Sequence, residues 1–287
     1  MSYSVIEQTV RGKSAAQPCQ DSIVTTLDYC AVIDGSTAKT DRTYDGMAPG
    51  LLAARLVAES VRALPSKATL EEATSVLTSA IRSYYLSHGL LDRVARHPEE
   101  RITASVVIYS DSRREIWWIG DCQCRVGGRT LHPVKRIDEV LSRIRAEADR
   151  YLLSHGYTVD QLRRKDLGRQ IIMGALRDQC GFQNVSPACC PYAYPVIDGF
   201  EVMRSSSLDS ADGQGGWSSI AVAPDIHQLV LASDGYPYLA DTLAASERQL
   251  EDLLRQDPLL IRDCPSTKGL AVGADSYDDR AYLRISI

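Results

Sequence analysis

Three apolar runs of strand length in this chain end on an aspartate, and two more strand-like runs begin from one. Cys30-Ala31-Val32-Ile33 leads into Asp34-Gly35, Ile116-Trp117-Trp118-Ile119-Gly120 into Asp121, and Leu229-Val230-Leu231-Ala232-Ser233 into Asp234-Gly235. Asp21 stands before Ser22-Ile23-Val24, and Asp278-Asp279 before Ala281-Tyr282-Leu283-Arg284-Ile285. Carboxylates at strand ends can gather on one edge of a sheet. Gathered and unpaired they repel and are costly to desolvate, so such a set asks for a cation, and oxygen donors of this kind suit hard divalent ions. Taken singly, an Asp-Gly is the ordinary hairpin turn, and the chain repeats it at Asp45-Gly46, Asp198-Gly199 and Asp212-Gly213. Only the ordered set carries information.

The rest of the pattern predicts α+β architecture. Strands are expected over Tyr3 to Val10, Ile23 to Thr26, Tyr29 to Ile33, Ala104 to Tyr109, Ile116 to Ile119, from Val222, over Gln228 to Ala232, and over Arg280 to Ile287. Helical spacing marks Gly46 to Leu64, Leu70 to Ser87, Ile137 to Leu153, Val159 to Cys180 and Asp241 to Gln256. The Ser/Gly/Asp-rich stretch from Ser205 to Ser219 reads as a loop. Helices fall in blocks and strands follow one another as hairpins, which argues for antiparallel sheets covered by helices, not a parallel doubly wound sheet. No linker is evident, so residues 1–287 are expected to form one domain. Trp117 and Trp118 are neighbours in a strand and should face opposite ways, at least one into a core.

The 287 residues carry 32 Lys and Arg against 37 Asp and Glu, a formal charge of −5, which gives no reason to expect nucleic acid or an anionic membrane as partner. No run of about 20 apolar residues suggests a membrane span. The first residues lack a basic segment followed by an apolar one, so a cytoplasmic address is expected. In that setting the 8 cysteines are expected to be reduced and mostly buried, and neither Cys122-x-Cys124 nor Cys189-Cys190 has zinc-knuckle spacing. His88, His97, His132, His155 and His227 show no metal-ligand spacing either.

The ordered set from Asp21 through Ile33-Asp34-Gly35, Ile119-Gly120-Asp121 and Leu229-Val230-Leu231-Ala232-Ser233-Asp234-Gly235 to Asp278-Asp279 resembles the PPM family, the type-2C metal-dependent serine/threonine phosphatases. The resemblance implies a four-layer α/β/β/α sandwich, two antiparallel sheets flanked by helices, with two Mn2+ or Mg2+ ions and a weaker third. It implies metal ligation by Asp21, Asp34, the Gly35 carbonyl, Asp121, Asp234 and Asp278, catalysis centred on Asp34 and Asp234, and Asp279 behind the ligands. The activity implied is metal-dependent hydrolysis of phosphomonoesters, with a phosphorylated protein as substrate and a monomer as the working unit. Where the family often has a phosphate-gripping Arg, this chain has Ala16, which leaves Lys13, or Arg11, as the candidate. Where many members have a His after the first Asp-Gly, it has Ser36, and Thr37-Ala38 replaces the usual Gly pair.

A flap-like insertion is expected at about 136–180, with Arg163-Arg164-Lys165 as either a solvated helix face or a docking surface for an acidic partner. Pro191-Tyr192-Ala193-Tyr194-Pro195 is read as loop packing or a contact site. Two other functions stay open on the same fold: a catalytically silent binding or regulatory module, and a small-metabolite phosphatase. An actin-like phosphate loop at Asp34-Gly35-Ser36-Thr37 is disfavoured because no second Gly-rich phosphate loop follows.

Overall fold

The computed structural model describes residues 3–202 and 218–287. Most of the loop expected from Ser205 to Ser219, including Asp212-Gly213, lies outside the described residues. Ten strands form two antiparallel sheets of five. One sheet contains β2 (Asp21–Thr25), β3 (Tyr29–Gly35), β4 (Ala104–Ser110), β5 (Glu115–Ile119) and β8 (Ser218–Ala221), in that spatial order. The other runs β1 (Ser4–Arg11), β10 (Arg280–Ser286), β9 (Gln228–Ala232), β6 (Gln123–Val126), β7 (Arg129–Leu131). With helices on both outer faces, this is the α/β/β/α sandwich expected from the sequence.

The strand period of two sorts side chains into layers. In β3, Cys30 and Val32 enter the core between the sheets with Val107, Trp118, Leu231 and Leu283. Ala31 and Ile33 face the other way, with Trp117, onto α1 (Pro49–Arg62) and α2 (Leu70–Ser87). Both tryptophans are therefore core, each in a different one. The other sheet buries Val230, Ala232 and Tyr282 against Leu250 and Leu254 of α7 (Leu243–Gln256).

Local chemistry fixes several boundaries. The Thr69 hydroxyl accepts from Glu72 N at 3.2 Å while the Glu72 carboxylate accepts from Thr69 N at 2.8 Å, a reciprocal cap that starts α2 where periodicity placed it. The helix expected from Gly46 begins instead at Pro49, after a turn in which Tyr44 and Met47 exchange backbone hydrogen bonds. The helix expected over Val159 to Cys180 is two, α5 (Val159–Arg164) and α6 (Leu167–Asp178), followed by a 3-10 turn. The break comes at Asp166, whose side chain caps α6 by accepting from Arg169 N at 2.8 Å. Strands β6 and β7 and the short helix α3 (Leu91–Arg96) are additions to the expected elements. The strand expected from Val222 onward lies just before it, at Ser218–Ala221, so Ser218 and Ser219, expected in the loop, are strand. Hairpins join β2 to β3, β4 to β5 and β6 to β7, whereas the β3–β4 pair closes over α1 to α3 and β8 and β10 pair with strands distant in sequence.

The segment 136–180 forms α4 (Arg136–Ser154), α5 and α6; α4 and α6 pack through Leu141, Ile172 and Leu176, and Leu162 of α5 packs against Ala146. Arg145, 0% exposed, ties them to the loop before β10: its guanidinium donates to Asp166 at 2.9 Å, to the Leu259 carbonyl at 2.8 Å and to the Ser266 carbonyl at 3.2 Å, with Asp149 at 3.3 Å. Removing one partner of a buried charge network leaves the others uncompensated. Arg145→Met should therefore destabilise the protein by about 3 kcal/mol or more, read from the urea unfolding midpoint. A midpoint within error of the parent protein would show that the network does not anchor this layer.

Candidate active site

Strand pairing is what gathers the aspartates. Antiparallel register sets Asp21 of β2 directly across from Asp34 of β3, and Asp34 across from Ser105 of β4. The Ser105 hydroxyl donates to Asp121 Oδ1 at 2.5 Å. Asp121 reaches it because the chain turns sharply at Gly120, where φ is +98° and a Cβ would collide with Ser105. Asp234 follows β9 and Asp278 precedes β10, adjacent strands of the facing sheet. Asp34, Asp121, Asp234 and Asp278 thus line one cleft of about 400 Å³. Asp21 lies beneath it, 7% exposed.

The glycines separate these aspartates from turn formers. Gly46 and Gly199, after Asp45 and Asp198, have φ of +76° and +86°, as turn glycines do. Gly35 and Gly235 have no positive φ; a Cβ on either would strike backbone, the Gly50 carbonyl at the start of α1 or the Asp279 carbonyl before β10. They are glycines of close approach, letting the strand end that carries each aspartate press against its neighbour.

Charge in the cleft is unevenly balanced. Burial and repulsion from Asp21, Asp234 and Asp121 push the Asp34 carboxyl well above its usual range. Burial does the same to Asp21, with Asp278 and Asp234 adding repulsion. Asp234 is pushed up to about 7 by burial, then by Asp121 and Asp278. Two carboxylates are instead neutralised from within the chain. Burial of Asp278 is outweighed by Lys268, which forms a close ion pair with its Oδ2, and by Lys13 at 3.7 Å, so its carboxyl is held below the usual range. Burial of Asp121 is likewise outweighed by Lys135 at 2.9 Å and by Ser105. Lys135 also lies 4.8 Å from the Tyr194 ring centroid, so the Tyr-rich stretch contributes one buried tyrosine to this wall.

Lys13, expected to grip phosphate, is turned to other work. Its backbone N–H donates to Asp279 Oδ1 at 2.8 Å and its ammonium pairs with Asp278 and Asp279; it is not among the residues lining the cleft. Asp279 also accepts from Gln20 N at 3.2 Å, so it fastens the β1–β2 connection to the start of β10, behind the cleft carboxylates. Sequence reading missed Lys39, Lys135, Arg169, Lys268 and Ser105. Each sits in unremarkable sequence, and only Lys135, just before a helix, had a local signal. In the charged run of the flap, Arg163 bonds back to the Leu270 carbonyl at 3.0 Å, leaving Arg164 and Lys165 exposed.

The donor set suits a hard divalent ion. Asp21, Asp34 and Asp234 form no ion pair among the described residues, and the buried Asp21 Oδ2 has no hydrogen-bond partner. The described residues hold no ready-made cluster of three or more ligating side chains. For Asp278 to join such a set, the Lys268 ammonium has to leave it.

Several solved structures are similar to this chain over nearly their whole length. They include the catalytic domain of the serine/threonine protein phosphatase PstP in complex with two manganese ions, at 13% identity over 99% of this chain and 96% of that one, TM-score 0.48. Serine/threonine phosphatase Stp1 from Staphylococcus aureus matches at 12% identity over 99% and 96%, TM-score 0.46. RsbX in complex with magnesium matches at 9% over 99% and 98%, TM-score 0.44. No family model and no curated protein sequence matches the chain. No helix among the described residues is long and apolar enough to cross a membrane, and all eight cysteines are free, with Cys30, Cys122, Cys124 and Cys180 buried, Cys189 exposed and the others half-buried.

A carboxyl whose pKa is raised on folding holds its proton more tightly in the folded state, so its contribution to stability is greatest below the usual carboxylate range and is lost as pH rises toward the folded value. With Asp234 at about 7 and Asp21 and Asp34 raised in the same direction, the melting temperature in EDTA should fall between about pH 5 and about pH 7. The loss per group is at most about 1.4 kcal/mol per pH unit, and Asp234→Asn should reduce it. A melting temperature that rises over that interval would contradict the charge imbalance described.

Proposed function

We propose that this chain is a divalent-metal-dependent phosphomonoester hydrolase, acting on phosphorylated serine or threonine in a protein substrate. One observation carries the reading: aspartates from four separate strand ends line a single cleft between the sheets, with Asp21 paired beneath Asp34 and neither in an ion pair among the described residues. In this reading Asp21, Asp34, the Gly35 carbonyl, Asp234 and Asp278 would hold Mn2+ or Mg2+ ions, and Asp121 would support a weaker third. Such ions acidify bound water and offset charge on a transferring phosphoryl group.

The chain's own residues do the positioning. Ser105 and Lys135 hold Asp121 in a fixed, ionised state. Asp279 locks the β1–β2 connection so that Asp21 stays opposite Asp34. Lys268 balances Asp278, and an ion held by Asp278 would compete with that pair.

A second reading is a silent binding module, favoured by the lysines that already occupy Asp278 and Asp121. Hydrolysis of para-nitrophenyl phosphate separates the two. Turnover should require manganese, vanish in EDTA, and fall by about a hundredfold or more in Asp34→Ala and Asp234→Asn. Tight manganese binding with no turnover, on this substrate and on a phosphopeptide panel, would establish the silent module instead.

A further inference from the structure

The cleft also carries a group of cationic side chains, alongside Asp138 and Glu139 of α4. Lys39, in the connection between β3 and α1, and Arg169, in the first turn of α6, both line it, and neither has a carboxylate at ion-pair distance among the described residues. Their neighbour Lys268 bridges from Asp278 to the Thr37 hydroxyl at 3.4 Å, so three cationic side chains face one region of the cleft. Like charges gathered in a half-buried place oppose folding unless something compensates. Here the strain is visible: burial, then Arg169 and Lys268, lower the Lys39 ammonium to about 8.

The arrangement is also held in place. The Lys39 ammonium donates to the Thr37 carbonyl at 2.8 Å, and its own carbonyl accepts from Arg177 of α6 at 3.2 Å. Arg169 donates to the Thr267 carbonyl at 2.7 Å through one nitrogen, leaving the rest of its fork available. The Arg145–Asp166 network fixes both supports, the start of α6 and the turn that carries Thr267 and Lys268. Close by, Gln179 and Gln183, 4% and 7% exposed, each line the cleft with a buried side-chain oxygen that has no donor.

We propose that Lys39 and Arg169 form an anion subsite that takes the phosphate of the substrate, a dianionic tetrahedral group. A dianion answers the multiple positive charge better than a carboxylate does, and Arg presents parallel N–H donors to paired oxygens. The unsatisfied glutamine oxygens then meet hydrogen-bond donors on the organic part of the ester. This assignment rests on the hydrolase reading for its substrate, but anion binding by the two side chains is measurable without turnover.

Inorganic phosphate is the probe, titrated calorimetrically into the full chain in magnesium buffer and again in EDTA. The wild-type protein should bind in at least one buffer, and Lys39→Met and Arg169→Met should each weaken binding about tenfold or more. Where phosphate binds in EDTA, Asp234→Asn should keep that binding while losing turnover, which separates the two readings. If para-nitrophenyl phosphate is hydrolysed, the same two variants should raise KM with kcat within about threefold. Lys39→Gln replaces Lys39→Met should that variant fail to fold, as judged by its melting curve. No phosphate binding in either buffer, or binding unchanged by both substitutions, overturns the subsite. Phosphate binding through Lys39 and Arg169 without any turnover would sustain the subsite and discard the hydrolase.

Discussion

Buried carboxylates at the joint edge of two sheets are the constraint around which the molecule is arranged. Asp21, Asp34 and Asp234 are desolvated and repel one another, and each is pushed toward its protonated form. A fold does not place charges so unless something offsets them, and two answers are visible. Lysines brought in from three remote segments, Lys13, Lys135 and Lys268, neutralise the outer carboxylates. The inner ones form no ion pair among the described residues, the condition in which a divalent cation binds well.

The rest of the structure supplies rigidity to that edge. Two glycines without side chains let strand ends abut backbone at Gly35 and Gly235, and a third allows the reversal at Gly120. The α4–α6 layer is not merely laid over the cleft. Arg145 and Asp166 bind it to the turn bearing Lys268, so the basic wall and the cap of α6 form one unit. Acidic and basic walls are thus fixed by different elements, the first by sheet register, the second by a buried ion network.

Much of the frame was legible. Apolar runs at β3 and β9, alternation in β10 and helical spacing from Leu70 to Ser87 identified elements within a residue or two because local patterning and tertiary packing agree there. The failures have physical causes. The break at Asp166 was hidden because α5 and α6 continue one helical pattern, and only the cap and the Arg145 pair show that the chain bends. Strands β6 and β7 are short, and β7 is half-exposed or more throughout, so alternation carried little signal. Among site residues, the aspartates were legible through their position after apolar runs. The cationic residues were not, since a lysine in a polar loop looks alike whether it faces solvent or a carboxylate.

What the sequence determined alone is the blocks of strands and helices, the sandwich they imply, and the aspartates that mark strand ends, because each depends on residues near one another along the chain. Tertiary structure alone decided which Asp-Gly pairs are turns and which are close contacts, which lysine meets which carboxylate, and that Lys39 and Arg169 share a wall. Those facts depend on register and on long-range approach: Lys268 reaches Asp278 and Thr37 only once α6, its buried arginine contact and both sheets are in place. Charge compensation in a low-dielectric cleft is set by distances between segments, and a linear sequence does not contain them until the chain has folded.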